Sequence, residues 1–137
     1  MISQEFNVTL KDSEGNNLLN PETTGAINLS NSRLFLLENG EPKLYKLDGG
    51  GILDNPYGIS PTGMDGDMKA RVQFQYFGNQ KVLEGIIKWN ETLADTLTFT
   101  FNSAENPAFL TKISEKDKTL WDIEIDQEYP IFVTLNH

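Results

Sequence analysis

Residues 69–77 alternate polar and apolar side chains almost without fault, and this pattern is the clearest structural signal in the chain. A period of two places every second side chain on the same face of a β-strand. The apolar members of the segment are Ala70, Val72, Phe74 and Tyr76. One buried face and one hydrated face are typical of antiparallel sheets, so the segment predicts an antiparallel strand.

The same alternation recurs along the chain and predicts an all-β fold. Further predicted strands include 6–11, 26–30, 33–38, 43–47, 82–89, 95–102, 109–113, 119–125 and 131–135. Asn39-Gly40 predicts a hairpin turn, because both residue types adopt positive φ at low cost. Eight or nine short strands at this spacing indicate one antiparallel β-sandwich or barrel domain over residues 1–137.

Residues 48–67 interrupt the alternation with a long connection rich in Gly, Pro and Asp. A connection of this length without periodicity is either a functional loop or a mobile one. We therefore interpret it as the part of the fold that presents residues to a partner.

Composition narrows the classes of function. The chain has twenty acidic and eleven basic residues, a formal net charge of −9 and no cysteine. Nucleic acid and anionic membrane surfaces are poor partners for such a chain, since both attract clusters of Lys and Arg. No apolar run approaches a membrane span, so the chain is either cytoplasmic or has lost a leader that preceded Met1.

Several short motifs resemble a known family. They are Phe6–Lys11 with Asp12, Gly15-Asn16 and Leu18–Pro21, then Gly85–Trp89 with Asp95–Thr98, Leu110–Ile113 and Leu120-Trp121. Together they are similar to a domain of the predicted surface lipoproteins of gut Bacteroidetes. The resemblance implies an immunoglobulin-like or prealbumin-like sandwich, anchored at the cell surface by an acylated cysteine that preceded residue 2. It supplies no catalytic residues, and this chain lacks the cysteines of many members.

Two acidic segments are candidate calcium sites. Asp12-Ser-Glu14-Gly15-Asn16 has alternating oxygen ligands, but its glycine and its twelfth residue do not match a calcium loop, so a turn is the better interpretation. Asp65 and Asp67, with Asp48 and Asp54 in the same connection, could hold Ca²⁺ or form a solvated loop.

Three aromatic residues are candidate stacking platforms for sugar rings. Tyr57 lies in the Gly/Pro-rich connection, where we expect it to be exposed and able to bind a ligand. Trp89 and Trp121 lie in predicted strands, and we expect both in the core, because a sandwich needs large side chains between its sheets.

Catalytic signals are weak. The single histidine, His137, is the last residue, where we expect a frayed chain end, so a serine–histidine–carboxylate triad has no base. We therefore predict a protein that is not an enzyme: a cell-envelope module that binds a glycan or a surface protein. The alternatives are a small glycan-acting enzyme with a carboxylate pair and a pure spacer or adhesion domain.

Overall fold

The structure is a computed structural model that describes residues 4–46, 57–64, 66–76, 78–104, 108–126 and 129–137. These residues form two sheets that pack as a sandwich. The strands are β1 Gln4–Lys11, β2 Arg33–Glu38, β3 Glu41–Leu44, β4 Ile59–Thr62, β5 Lys69–Phe74, β6 Val82–Lys88, β7 Ala94–Phe101, β8 Leu110–Glu115, β9 Lys118–Asp122 and β10 Phe132–Asn136. The predicted all-β sandwich is confirmed, while its immunoglobulin-like or prealbumin-like subtype stays a prediction.

One sheet has four strands in the order β10-β1-β5-β4, and the other has six in the order β3-β2-β6-β7-β8-β9. Neighbouring strands are antiparallel except for β1 and β10, which run parallel from Asn7↔Phe132 to Lys11↔Asn136. The described residues therefore contain ten strands rather than eight or nine. The unpredicted strand is β4, which lies within the segment that we interpreted as a long connection.

The core is built by the alternation that the sequence displays. In β7, Leu97 and Phe99 point inward with no exposed surface, while the threonines that alternate with them lie on the outer face. The Phe99 ring lies 5.6 Å from the ring of Phe6 and 5.1 Å from that of Phe74, so it joins the two sheets at their centre. The expected core positions of Trp89 and Trp121 are confirmed, since they are 0% and 3% exposed.

Gly85 makes room for this aromatic cluster. A Cβ atom added to Gly85 in β6 would lie 2.6 Å from Cε2 of Phe99, well inside van der Waals contact. Because glycine has no side chain, the Phe99 ring can lie directly against the β6 backbone.

The predicted hairpin turn at Asn39-Gly40 is confirmed. Both residues have positive φ, 54° and 81°, and they connect β2 to β3. This is the backbone geometry that a two-residue hairpin with the right strand twist requires.

Two predicted strands are wrong in part. Residues 26–28 form no strand and lead into a 3₁₀ turn at Leu29–Asn31, because Oδ1 of Asn28 accepts the Ser30 backbone N–H and caps that turn. The predicted strand 119–125 ends at Asp122, and Ile123–Asp126 form one short α-helix, α1. Its first turn is closed by Asp122 Oδ1, which accepts the Glu124 N–H at 2.9 Å.

Two edge strands each contain a proline turned outward. The Gln73 N–H donates to the Gly58 carbonyl. Because hydrogen-bonded and non-hydrogen-bonded pairs alternate along an antiparallel ladder, Pro61 in β4 and its partner Ala70 form a non-hydrogen-bonded pair, and the backbone N and C=O of Pro61 face away from β5. The Tyr45 N–H donates to the Leu34 carbonyl, which places Pro42 in β3 in the same way. Among the described strands, β4 and β3 are therefore sheet edges that lack an N–H at one position where an added strand would need a donor.

Candidate functional site

A groove of about 670 Å³ lies between β4 and the segment that connects β1 to β2. Its lining residues are Leu19, Pro21, Ala26, Ile27, Asn28, Leu29, Ser30, Ile59, Ser60, Pro61, Met68 and Lys69. Eight of these twelve are apolar, and none is aromatic. The groove is therefore an aliphatic surface with a few polar groups at its rim.

Hydrogen bonds hold the outer wall of the groove in place. The Leu18 N–H donates to the Leu10 carbonyl at 2.9 Å, and the Ile27 N–H donates to the Leu18 carbonyl at 2.8 Å. Nδ2 of Asn17 reaches across to the Met68 carbonyl, 51 residues away, at 3.0 Å. Because the wall is tied to both β1 and β5, the groove is a preformed part of the fold.

A cationic and aromatic cluster adjoins the groove. Nη1 of Arg33 donates to the carbonyls of Ser30, which lines the groove, and of Ser32, at 2.9 and 2.8 Å. The guanidinium of Arg33 lies 3.8 Å from the ring centroid of Tyr57, and Nζ of Lys46 lies 6.0 Å from the same centroid. Tyr57 is half-buried rather than exposed as we expected, because this stacking covers one face of its ring.

Of the predicted calcium residues in the long connection, Asp67 lies in the described part of the chain. Asp65, Asp48 and Asp54 lie outside the described residues. Asp67 is 78% exposed and pairs with Nζ of Lys69 at 2.9 Å. Within the described ranges, no three His, Asp or Glu side chains are grouped so that they could hold a metal ion.

The loop at Asp12–Asn16 is a turn, as we interpreted it. Oδ1 of Asp12 accepts the backbone N–H groups of Glu14 and Asn16 at 2.9 and 2.8 Å. The backbone hydrogen bond from Asn16 is the largest influence and lowers the pKa of Asp12 below its ordinary value. Burial, the next largest, opposes this shift, and the remaining hydrogen bonds of the loop lower the pKa further. The Asp12 carboxylate therefore accepts hydrogen bonds within its own loop and stabilises the turn.

A buried polar cluster lies between the two sheets at one end of the sandwich. Oδ2 of Asp95, at the start of β7, accepts a hydrogen bond from Nε1 of Trp89 at 2.8 Å and lies 2.8 Å from Nε2 of His137. The Asp95 side chain is 5% exposed and that of His137 is 22% exposed. The expectation of a frayed His137 is wrong, because its backbone N–H also donates to the Lys11 carbonyl at 2.8 Å and extends the β1–β10 ladder.

Glu115, at the end of β8, completes this cluster. Burial raises the pKa of Glu115, and the hydrogen bond and negative charge of Asp95 raise it further, against smaller opposing effects of His137 and Lys118. Glu115 therefore belongs to the same electrostatic cluster as Asp95 and His137.

A second, shallower depression of about 320 Å³ lies on the outer face of the six-stranded sheet. It is lined by Phe35, Pro42, Ile86, Lys88, Asn90, Glu91, Thr92, Leu93 and Ala94. This depression is about half the size of the groove, and it offers a matched control for experiments on the groove.

Comparisons with known proteins do not identify a relative. No protein-family model matches this chain, and neither a search of curated proteins nor one of solved structures finds a protein similar to it. None of the helices in the described ranges combines the length and apolarity that a membrane span requires.

Sequence reasoning missed both the groove and the buried cluster. The groove combines residues 19–30 with residues 59–69, and no local pattern links these two segments. The cluster left one weak signal: Asp95 occupies an inward-facing position of a clean alternation, where a charged side chain requires a partner.

Proposed function

We propose that this protein is a non-catalytic binding module and that the groove beside β4 is its ligand site. The observation that carries the proposal is the groove itself, a preformed and mostly aliphatic concavity of about 670 Å³. Sites for small ligands are typically concave, apolar and 300 to 1,000 Å³ in volume, with a few polar groups that orient the ligand.

The buried cluster supports a role without catalysis. The carboxylate of Asp95 is engaged by Trp89 and His137, and burial together with Asp95 raises the pKa of the neighbouring Glu115. We therefore interpret these groups as structural, holding β10 to the six-stranded sheet. The motif resemblance supports a place on the cell envelope, with a lipid anchor upstream of the sandwich.

The proposal is tested by thermal unfolding of the wild type and two matched variants against a panel of soluble glycans, peptides and short aliphatic acids. Ala26→Trp fills the groove, whereas Ala94→Trp places the same side chain in the depression on the outer face. A ligand at 100 times its Kd stabilises the folded state by about 2.7 kcal/mol. For a domain of this size, that corresponds to a rise in Tm of roughly ten degrees.

We expect a panel compound to raise the Tm of the wild type and of Ala94→Trp but not that of Ala26→Trp. Binding that survives Ala26→Trp would place the ligand site elsewhere. If a glycan raises the Tm of the wild type but not that of Tyr57→Ala, the ligand site would instead be at the Tyr57 ring. A panel without any shift would contradict the proposal and favour a spacer domain.

A further inference from the structure

We propose that the ligand of the groove is an amphipathic anion: an unbranched aliphatic chain of about ten carbons that ends in a carboxylate. This inference rests on the proposed function, because it names the ligand class of the same site. The chain would lie along the aliphatic lining, and the carboxylate would bind at the end marked by Arg33 and Lys46.

The chemistry of the lining favours an aliphatic chain over a sugar. The side chains available for contact come from Leu, Ile, Met, Pro and Ala, with Ser, Asn and Lys at the rim. The groove offers no aromatic residue on which a sugar ring could stack, and it has few polar groups for the hydroxyls of a sugar. Aliphatic side chains instead remove methylene groups from water without any demand on orientation.

The edge of β4 disfavours an extended peptide. A peptide that binds beside a free sheet edge gains its affinity from main-chain hydrogen bonds to that edge. Pro61 has no N–H, and its position in the β4–β5 register turns this missing donor toward the open side. A ligand without a backbone loses nothing at this position.

The charge next to the groove selects an anionic head group. Arg33 donates to the carbonyl of Ser30, a lining residue, and stacks on the ring of Tyr57. Nζ of Lys46 lies 6.0 Å from the centroid of the same ring. Within the described ranges, neither Arg33 nor Lys46 forms an ion pair with a carboxylate, although the chain has a net charge of −9. The Nη1 group of Arg33 is held by backbone carbonyls, so the guanidinium is oriented in advance for a carboxylate on its other edge.

The inference is tested by isothermal titration of the wild-type protein with octanoate, decanoate and dodecanoate below their micellar concentrations, and with 1-decanol. We expect the Kd to fall about tenfold for every two added methylenes. Decanol, which has the same chain without the charge, should bind roughly tenfold more weakly than decanoate.

The variants separate the chain site from the head-group site. Arg33→Gln should weaken decanoate roughly tenfold and leave decanol unchanged. The matched control is Arg71→Gln, because Arg71 pairs with Glu5 at 2.9 Å on the outer face of the other sheet. Ala26→Trp should abolish the binding of both probes, while Ala94→Trp should not. Circular dichroism of each variant confirms that it is folded.

Four results would overturn the inference. The first is equal affinity for decanoate and decanol, the second is decanoate binding that resists Ala26→Trp, and the third is no decanoate binding at all. Binding to phosphatidylglycerol vesicles without competition by decanoate would assign the anion preference to a membrane surface and would also contradict it. The proposed function survives each of these outcomes if another panel compound binds the wild type and fails to bind Ala26→Trp.

Discussion

Replacement of Asp95 by alanine measures how much the buried cluster contributes to stability. Its Oδ2 accepts from Nε1 of Trp89, a side chain with no exposed surface, so the indole N–H cannot turn to water when the carboxylate is removed. An unsatisfied buried donor costs about 1 to 3 kcal/mol. His137 is partly exposed and can bind water instead, so its loss adds at most about 1 kcal/mol. We expect Asp95→Ala to lower the free energy of unfolding by about 2 to 3 kcal/mol at pH 7.

The assay is urea denaturation followed by tryptophan fluorescence, in a cycle with Trp89→Phe. Removal of the indole N–H removes the need for an acceptor, so Asp95→Ala should cost about 1 kcal/mol less in the Trp89→Phe background. Asp95→Asn keeps an acceptor for the indole and should lie between the wild type and Asp95→Ala. A cost of Asp95→Ala below about 0.5 kcal/mol, or one that is the same in both backgrounds, would refute this reasoning.

Two further predictions concern the core and the pH dependence of stability. Gly85→Ala should cost about 1 to 3 kcal/mol in urea denaturation, because the new Cβ lies 2.6 Å from Phe99, and part of this cost should disappear in a Phe99→Leu background. For Glu115, the raised pKa in the folded state means that the folded protein holds a proton that the unfolded chain releases above its ordinary pKa of 4.5. The wild type should therefore lose stability as the pH rises from 4.5 through the folded pKa. Glu115→Gln should remove this loss. The Tm of Glu115→Gln minus the Tm of the exposed control Glu22→Gln should therefore be larger at pH 7 than at pH 4. An equal difference at both pH values would argue against the raised pKa of Glu115.

The strands that the sequence predicted are those with uninterrupted alternation. The predicted segments 69–77 and 95–102 correspond to β5 and β7, and the predicted segment 109–113 overlaps β8. In both β5 and β7 the apolar residues of the alternation are buried and the residues between them are polar, so local pattern and tertiary packing agree.

The mispredicted segments are those where turn chemistry or an edge position outweighs the pattern. The strand β4 contains Pro61 in a four-residue edge, so it has too little alternation to be recognised. Residues 26–30 do alternate, but the side chain of Asn28 caps a 3₁₀ turn instead of pairing with a neighbouring strand.

The candidate site depends on contacts that are distant in sequence. Asp95 and His137 are 42 residues apart, and Asn17 fixes the groove wall to Met68 across 51 residues. Such pairs follow from the order of strands in the two sheets, and alternation within a strand carries no information about that order. Tyr57 could be recognised as a candidate, but its stacking on Arg33 could not.

The parallel pairing of β1 with β10 determines how the domain responds to mechanical tension. A pull on the chain before β1 and on the chain after β10 draws the two strands past each other along their length. The ladder between them, from the bond of Asn7 N–H to the Ile131 carbonyl to that of His137 N–H to the Lys11 carbonyl, is then loaded all at once. Hydrogen bonds that must break together resist force better than bonds that open one after another. The unfolding force of the domain should therefore be high when tension is applied through these two ends.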